Sequence, residues 1–323
     1  MSIIFETLND AHVGKPYSYG NLTLFPLIKP VDGPPEYLTL DEAMACSAAR
    51  IKEVSKSGAV PELSFENLSE KPILLVDGEE LIGGKQNRIL NLSILIPSKR
   101  TVIIPVSCTE AGRWAHRGAS SMSRRSRRFD ARSSQEFQDA EQIAFSRMRM
   151  AKVRAVSESM KSTMGRHARQ SEVWSEIHNL AMDLPTESPS RAIRDSYLQY
   201  RGSIEEYVQT LPPTKDQVGA VFALNGQMVG LDLFDHPQTL SRLLAKLVRS
   251  HAMEALRESV VGAAATSQET AQTFIDSVSQ ATSARYTAIG EGEDLRLETQ
   301  DIVGGGLEAR GRLIHLCALS QIG

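Results

Sequence analysis

Between residues 77 and 91 the chain reads DGEELIGGKQNRILN, a stretch dense in side chains able to do chemistry. Asp77, Glu79 and Glu80 bring three carboxylates close together. Glu79 and Glu80 are the candidate catalytic residues, because a carboxylate can act as general acid or base or can hold a divalent cation such as magnesium or manganese. Lys85 and Arg88 supply cations suited to phosphate, and arginine adds the option of two parallel hydrogen bonds. Gln86 and Asn87 can read a ribose or an amide, and Asn91 closes the group. The competing reading is a solvated turn whose charges pair with one another.

A second group follows at Cys108, Glu110, Arg113 and Trp114. Trp114 can stack on a base or sugar, with Arg113 beside it for charge. Cys108 acts as a nucleophile only if a base lowers its pKa. His116 is near in sequence, but no spacing makes the two a dyad, and a buried inert thiol is the simpler reading.

Both groups sit at the ends of β-rich runs. Ile73 to Val76 is a short apolar run, Ile89 to Ile96 returns to apolar residues, and Thr101 to Ile104 follows a Pro-Ser-Lys-Arg turn. Upstream, Asn21 to Leu27 reads as a strand. Thr39 reads as a helix N-cap, with Glu42 three positions on completing a capping box, and that helix is expected to end near Arg50. Ile51–Ser55 and Glu62–Asn67 alternate as strands do. Downstream, helical spacing is expected over residues 135–162 and 171–182. A third helix from about Ser190 ends before Leu211, with Gly202 as a possible interruption. Asn225-Gly226 is a hairpin signal between Val218–Leu224 and Met228–Leu233. Helices are expected from Pro237 to about Glu258 and from Ser267 to Thr282, then strands at Leu295–Thr299, Ile302–Ala309 and Leu313–Leu319. Gly304-Gly305-Gly306 reads as a bulge or close packing.

This order predicts an α+β fold: a β-rich N-terminal third, a helical middle, and a hairpin-plus-helix C-terminal third packed into one mixed core. Residues 1–38 are expected to be lead-in strands and 39–319 a single unit, with a basic, mobile loop at 115–134.

The 323 residues carry a net charge of −3, which gives no global pull towards nucleic acid or anionic membrane. Three cysteines, far apart and odd in number, make no metal spacing or disulfide framework and point to a reducing cytoplasm. No run of apolar residues is long enough to span a membrane, and the first ten residues lack the features of a signal peptide. The histidines show no zinc spacing, and no Walker A, Gly-x-Ser-x-Gly or dinucleotide fingerprint is present. The arginines from Arg117 to Arg132 resemble a polyanion patch that Arg147, Arg149, Lys152 and Arg154 extend. Only Phe129 interleaves them, which favours a solvated loop over a nucleic-acid surface.

The stretches DGEELIGGKQNRILN (77–91), PVSCTEAGRW (105–114), VGAVFALNGQMVGLDLFDHPQTL (218–240) and EDLRLETQDIVGGGLEARGRLIHLCAL (293–319) together resemble the ARG and Rhodanese-Phosphatase-superfamily-associated Protein domain family. The resemblance runs from about Leu38 to Leu319. Reading ARG as ADP-ribosylglycohydrolase, it implies a place in NAD or ADP-ribose metabolism. The family's polar positions fall on Asp77, Gly78, Glu79, Glu80, Lys85, Gln86, Asn87, Arg88, Asn91, Cys108, Glu110, Gly112, Arg113 and Trp114. Segment 117–134 is more basic than the resemblance leads one to expect.

Three functional expectations result. The first is binding or hydrolytic processing of an ADP-ribose- or NAD-derived nucleotide in the cytoplasm, with Lys85, Arg88 and Arg113 on phosphates and Trp114 on the base. It requires the 77–91 turn and the 108–114 exit to converge. The second is a non-enzymatic binding or scaffold module whose Arg-rich segment meets a polyanion or acidic partner. The third is that the polar residues satisfy buried strand ends.

Overall fold

The computed structural model describes residues 2–55, 61–110, 137–140, 142–188, 190–258 and 266–321. The fold is α+β. Its helices among these residues are α1 (Ile3–Asn9), α2 (Leu40–Ala45), α3 (Ser146–Thr163), α4 (Gln170–Asp183), α5 (Ile193–Gln199), α6 (Arg201–Thr210), α7 (Pro237–Arg257) and α8 (Gln268–Ser279).

Asn225 and Gly226 both take positive φ, 50° and 83°, so Gln217–Leu224 turns straight back into Gln227–Phe234. That hairpin is the middle of a nine-stranded antiparallel sheet. On one side Gln217–Leu224 pairs with Leu22–Ile28, which in turn pairs with His12–Val13 and Tyr17–Tyr19. On the other side the order runs through Arg312–Ser320, Ile302–Ala309 and Glu293–Glu298 to Ser283–Thr287. Alternation decides the two faces. Leu22, Leu24, Ala220 and Phe222 pack under α7, whereas Phe25, Leu27, Val221 and Leu231 pack under α1 and α8. Each fully buried leucine contributes on the order of 1.5–3 kcal/mol, so α7, with Leu240, Leu243, Leu244 and Leu247 buried, is a principal clamp.

The 72–110 stretch builds two smaller sheets. One has the order Ile94–Ile96, Ile73–Leu75, Leu38–Thr39, the last pair parallel. The other runs Phe137–Asp139, Glu80–Gly83, Arg88–Leu90, Thr101–Cys108, Glu62–Asn67, Ala49–Glu53. Leu75, Leu81, Leu90 and Val106 form a core between them, while Leu74, Val76 and Ile89 join the core under α7.

Several expectations meet the structure with differences. Thr39 makes the full capping box with Glu42, but α2 stops at Ala45 because strand Ala49–Glu53 begins soon after. The first ten residues hold a helix, not a strand. The helix expected from 135 begins at Ser146, since Phe137–Asp139 adds an edge to the Glu80–Gly83 strand. The third helix breaks at Tyr200, not at Gly202. Ser283–Thr287 is a strand that the sequence reading passed over, and it pairs with Glu293–Glu298. A side chain at Gly304 would meet the carbonyl of Cys317 at 2.6 Å, which accounts for the glycine run as close packing. The segment 115–134 lies outside the described residues.

Candidate ligand-binding site

The 77–91 turn and the exit of strand Thr101–Cys108 do converge. Gln86 Nε2 donates to the Glu110 carbonyl at 2.7 Å, and the Asn87 amide donates to Glu110 Oε2 at 3.3 Å. Arg88 Nη1 reaches Gln86 Oε1 at 3.3 Å and Cys108 Sγ at 3.4 Å, and the Cys108 thiol donates to the same Gln86 oxygen at 2.8 Å. Register explains this, because Arg88 pairs directly with Cys108 across the two strands. The group is internal: Gln86, Asn87, Arg88, Cys108 and Glu110 are all buried. Arg88 therefore presents no face to a phosphate in this arrangement. Lys85 sits half-buried at the turn, its amide donating to Glu53 Oε1 at 3.1 Å. Arg113 and Trp114 lie outside the described residues.

The three carboxylates diverge. Asp77 turns towards α3, where Arg149 Nε approaches its Oδ2 at 3.3 Å and Lys152 pairs with Oδ1. Arg149 also grips Asp232, which His315 Nε2 meets at 3.2 Å, and His315 Nδ1 lies 2.7 Å from Ser93 Oγ. Burial pushes the Asp232 carboxyl up, but Arg149 and His315 outweigh it and hold the group well below the usual carboxylate range. Burial pulls the Lys152 ammonium down, and the neighbouring Asp77 does not fully restore it. Glu79 turns towards α7 and pairs with Lys246 at 2.9 Å. Burial lowers Lys246, yet Glu79 and Asp41 together leave it raised, while burial in turn raises Glu79 against the pull of Lys246. Arg149 and Lys152, which in sequence extend a basic surface, are 0 % and 1 % exposed. That reading is corrected: their i, i+3 spacing on the inward face of α3 aims both at Asp77.

Glu80 stands apart. Its oxygens accept from Thr109 Oγ1 at 2.8 Å and Gln142 Nε2 at 2.5 Å. Burial pushes its pKa from 4.5 to about 7, against these two hydrogen bonds. Asn91 is used structurally, accepting from Ser107 Oγ at 2.7 Å and donating to the Arg166 carbonyl at 2.9 Å. Among the described residues, no three His, Cys, Asp or Glu side chains cluster so as to hold a metal ion.

The open space lies beside this polar cluster. Gln170, at the start of α4, brackets Cys108 by accepting from its amide and donating to its carbonyl, both at 2.8 Å. One turn on, Trp174 is 41 % exposed, while Val173, Ile177 and Leu180 are the buried stripe of α4, with Ile177 also reaching the cavity that Trp174 lines. Trp174 and His178 line a cavity of about 420 Å³ that is closed by Thr186, Arg191, Ala192 and Ser196. Ala192 forms a β-bridge with Glu110, so the cavity shares a wall with the polar cluster. Arg191 takes a φ of 52°, a conformation uncommon for a residue with a side chain. Sequence reading missed this site. The Trp174/His178 spacing was a usable signal, because an i, i+4 pair of rings outside the buried stripe of Val173, Ile177 and Leu180 is a surface the core does not need.

An α+β protein with a sealed polar centre and a ligand-sized cavity beside it is the class that fold and site define. Residues 10–319 match the ARG and Rhodanese-Phosphatase-superfamily-associated Protein domain, and the chain belongs to that family. The expansion of ARG as ADP-ribosylglycohydrolase misreads the letters, so the link to NAD or ADP-ribose drawn from them is not carried by the match. No curated protein and no solved structure matches the chain. Among the described residues no helix is long and apolar enough to cross a membrane.

Proposed function

We propose that the protein binds a nucleotide-like, phosphate-bearing small molecule in the Trp174 cavity, with ADP-ribose- and NAD-derived nucleotides as the first ligands to test. The observation that carries this reading is a half-open tryptophan facing a cavity of about 420 Å³ with Arg191 on its wall. That volume falls within the range of small-molecule sites. An indole offers a stacking plane to any base, and a guanidinium can take a phosphate through two parallel hydrogen bonds. The roles expected of Trp114 and Arg88 thus have candidates in Trp174 and Arg191. Glu80 is fully buried and is not among the described residues lining this cavity, so the reading is one of binding.

The test is thermal unfolding of the full chain with ADP-ribose, NAD and AMP, each with and without magnesium or manganese. A ligand that binds only the folded state raises Tm. The expected result is a dose-dependent rise that Trp174→Ala and Arg191→Ala both abolish. A rise that survives both substitutions would place the ligand elsewhere, and no rise with any nucleotide would remove the reading.

A further inference from the structure

The geometry points to a second, separate binding site, for small phosphate-type oxyanions, in the cleft where α5, α6 and α7 meet. Arg194 comes from α5, Arg201 opens α6, and Arg249 projects from α7; together with Gln142, Tyr197 and Leu198 they line a cavity of about 200 Å³. Three guanidinium groups converge there from three helices, and among the described residues lining the cavity Glu205 is the acidic one. Glu205 pairs with Arg249 at 2.8 Å, which fixes that guanidinium at the rim. The described lining of the cleft thus carries more cations than carboxylates, although the chain as a whole is slightly acidic.

Size and chemistry select the ligand class. The volume lies below the roughly 300 Å³ at which pockets begin to hold drug-sized molecules, so a whole dinucleotide does not fit. Phosphate, pyrophosphate or the head of a phosphosugar does. Guanidinium planes match such oxyanions through paired hydrogen bonds, whereas an ammonium would meet them as a point charge. Leu198, 48 % exposed, gives an apolar step at the rim on which a sugar face can rest.

The floor of the cleft is unusual. Gln142 Nε2, which lines it, donates to the buried Glu80, and Tyr197, also lining it, donates to the Ile143 carbonyl at 3.0 Å. An anion seated on the arginines would stand over a carboxyl that burial pushes up to about 7 and that can remain uncharged beneath it. A charged carboxylate in the same place would repel the ligand.

This site does not depend on the Trp174 cavity. Residues Arg194 and Tyr197 face the arginine cleft, while Ala192 and Ser196 face the other cavity, so α5 divides them. The two proposals can fail separately.

The experiment is thermal unfolding and titration calorimetry at low salt with phosphate, pyrophosphate and ribose 5-phosphate, on the wild type, Arg201→Ala, Arg249→Gln and Trp174→Ala. Support would be a Tm rise with pyrophosphate, and affinity reduced by at least about tenfold in each arginine variant but unchanged in Trp174→Ala. Ribose 5-phosphate binding more tightly than phosphate would identify a phosphosugar as the source of the anion; equal affinity would identify the free anion. Arg201→Ala removes an exposed side chain and reads out even if Arg249→Gln is poorly folded. No binding of any anion, or binding unchanged in Arg201→Ala, would overturn the site. So would binding lost only in Trp174→Ala.

Discussion

Arg149 holds Asp232 through both terminal guanidinium nitrogens, at 3.0 and 2.7 Å, and neither side chain reaches solvent. The pair joins α3 to the middle of the large sheet, and through Asp77 it also joins the 77–91 turn. Removing one partner strands a buried charge, which typically costs about 3–5 kcal/mol. Arg149→Met should destabilise by that amount, and adding Asp232→Leu should recover part of it. The double-mutant cycle by urea unfolding checks this. A cost under about 1 kcal/mol for Arg149→Met would mean that the network contributes little.

Glu80 makes stability depend on pH near neutrality. Its folded pKa, about 7, lies above its ordinary 4.5, so the folded state binds the extra proton. The contribution is fully present below 4.5 and is lost as pH rises through 7. Over about 2.5 pKa units this amounts to roughly 3 kcal/mol at most. Relative to the wild type, Glu80→Gln should therefore gain stability steadily between pH 4.5 and 8. Parallel stability curves for the two proteins would contradict the assignment.

His251 works in the opposite direction. It stacks on Phe222 with ring centroids 4.0 Å apart, and neither ring nitrogen finds a hydrogen-bond partner among the described residues. Burial, opposed by Asp232, lowers its pKa from 6.5 to about 3. A depressed base contributes stability above 6.5 that is lost as pH falls towards 3. His251→Leu should remove this acid sensitivity, narrowing the difference in unfolding free energy between pH 7.5 and 4.5 by about 2 kcal/mol or more. An unchanged acid slope in the variant would count against a neutral buried imidazole.

The chain has two tryptophans, Trp114 and Trp174. In a Trp114→Phe background all indole emission comes from Trp174, so a base stacking in its cavity should quench it saturably. The midpoint should agree with the one found by thermal shift. Saturation by calorimetry with no change in emission would separate the bound nucleotide from Trp174.

Local signals in the sequence were legible. Thr39 and Glu42 lie three residues apart, and Asn225-Gly226 needs only its own φ angles, so a short window holds all the information. The partners of Asp77 were not legible, because Arg149 and Lys152 lie more than seventy residues away and their charge reads as surface until the fold turns them inward. Glu79 and Lys246 are hidden from each other for the same reason. The break at Tyr200 was also missed. Gly202 is the weaker helix former on propensity, but α5 ends where Tyr200 turns the chain, and propensity yields to packing. The convergence of Gln86 with Glu110 could be stated as a requirement in sequence and needed the strand register to be met.

The nine-stranded sheet sets Leu22–Ile28 against Gln217–Leu224 and inserts the last strand, Arg312–Ser320, beside Gln227–Phe234. During synthesis the first of these strands emerges early, yet its permanent neighbour is made almost two hundred residues later. Until then an apolar edge waits unpaired or under a chaperone, exposed to pairing with other chains. The sheet also closes around the final strand, so a ribosome that stalls or stops short of residue 312 leaves its centre open. Truncated forms of this chain should be recovered as aggregates and not as smaller folded units.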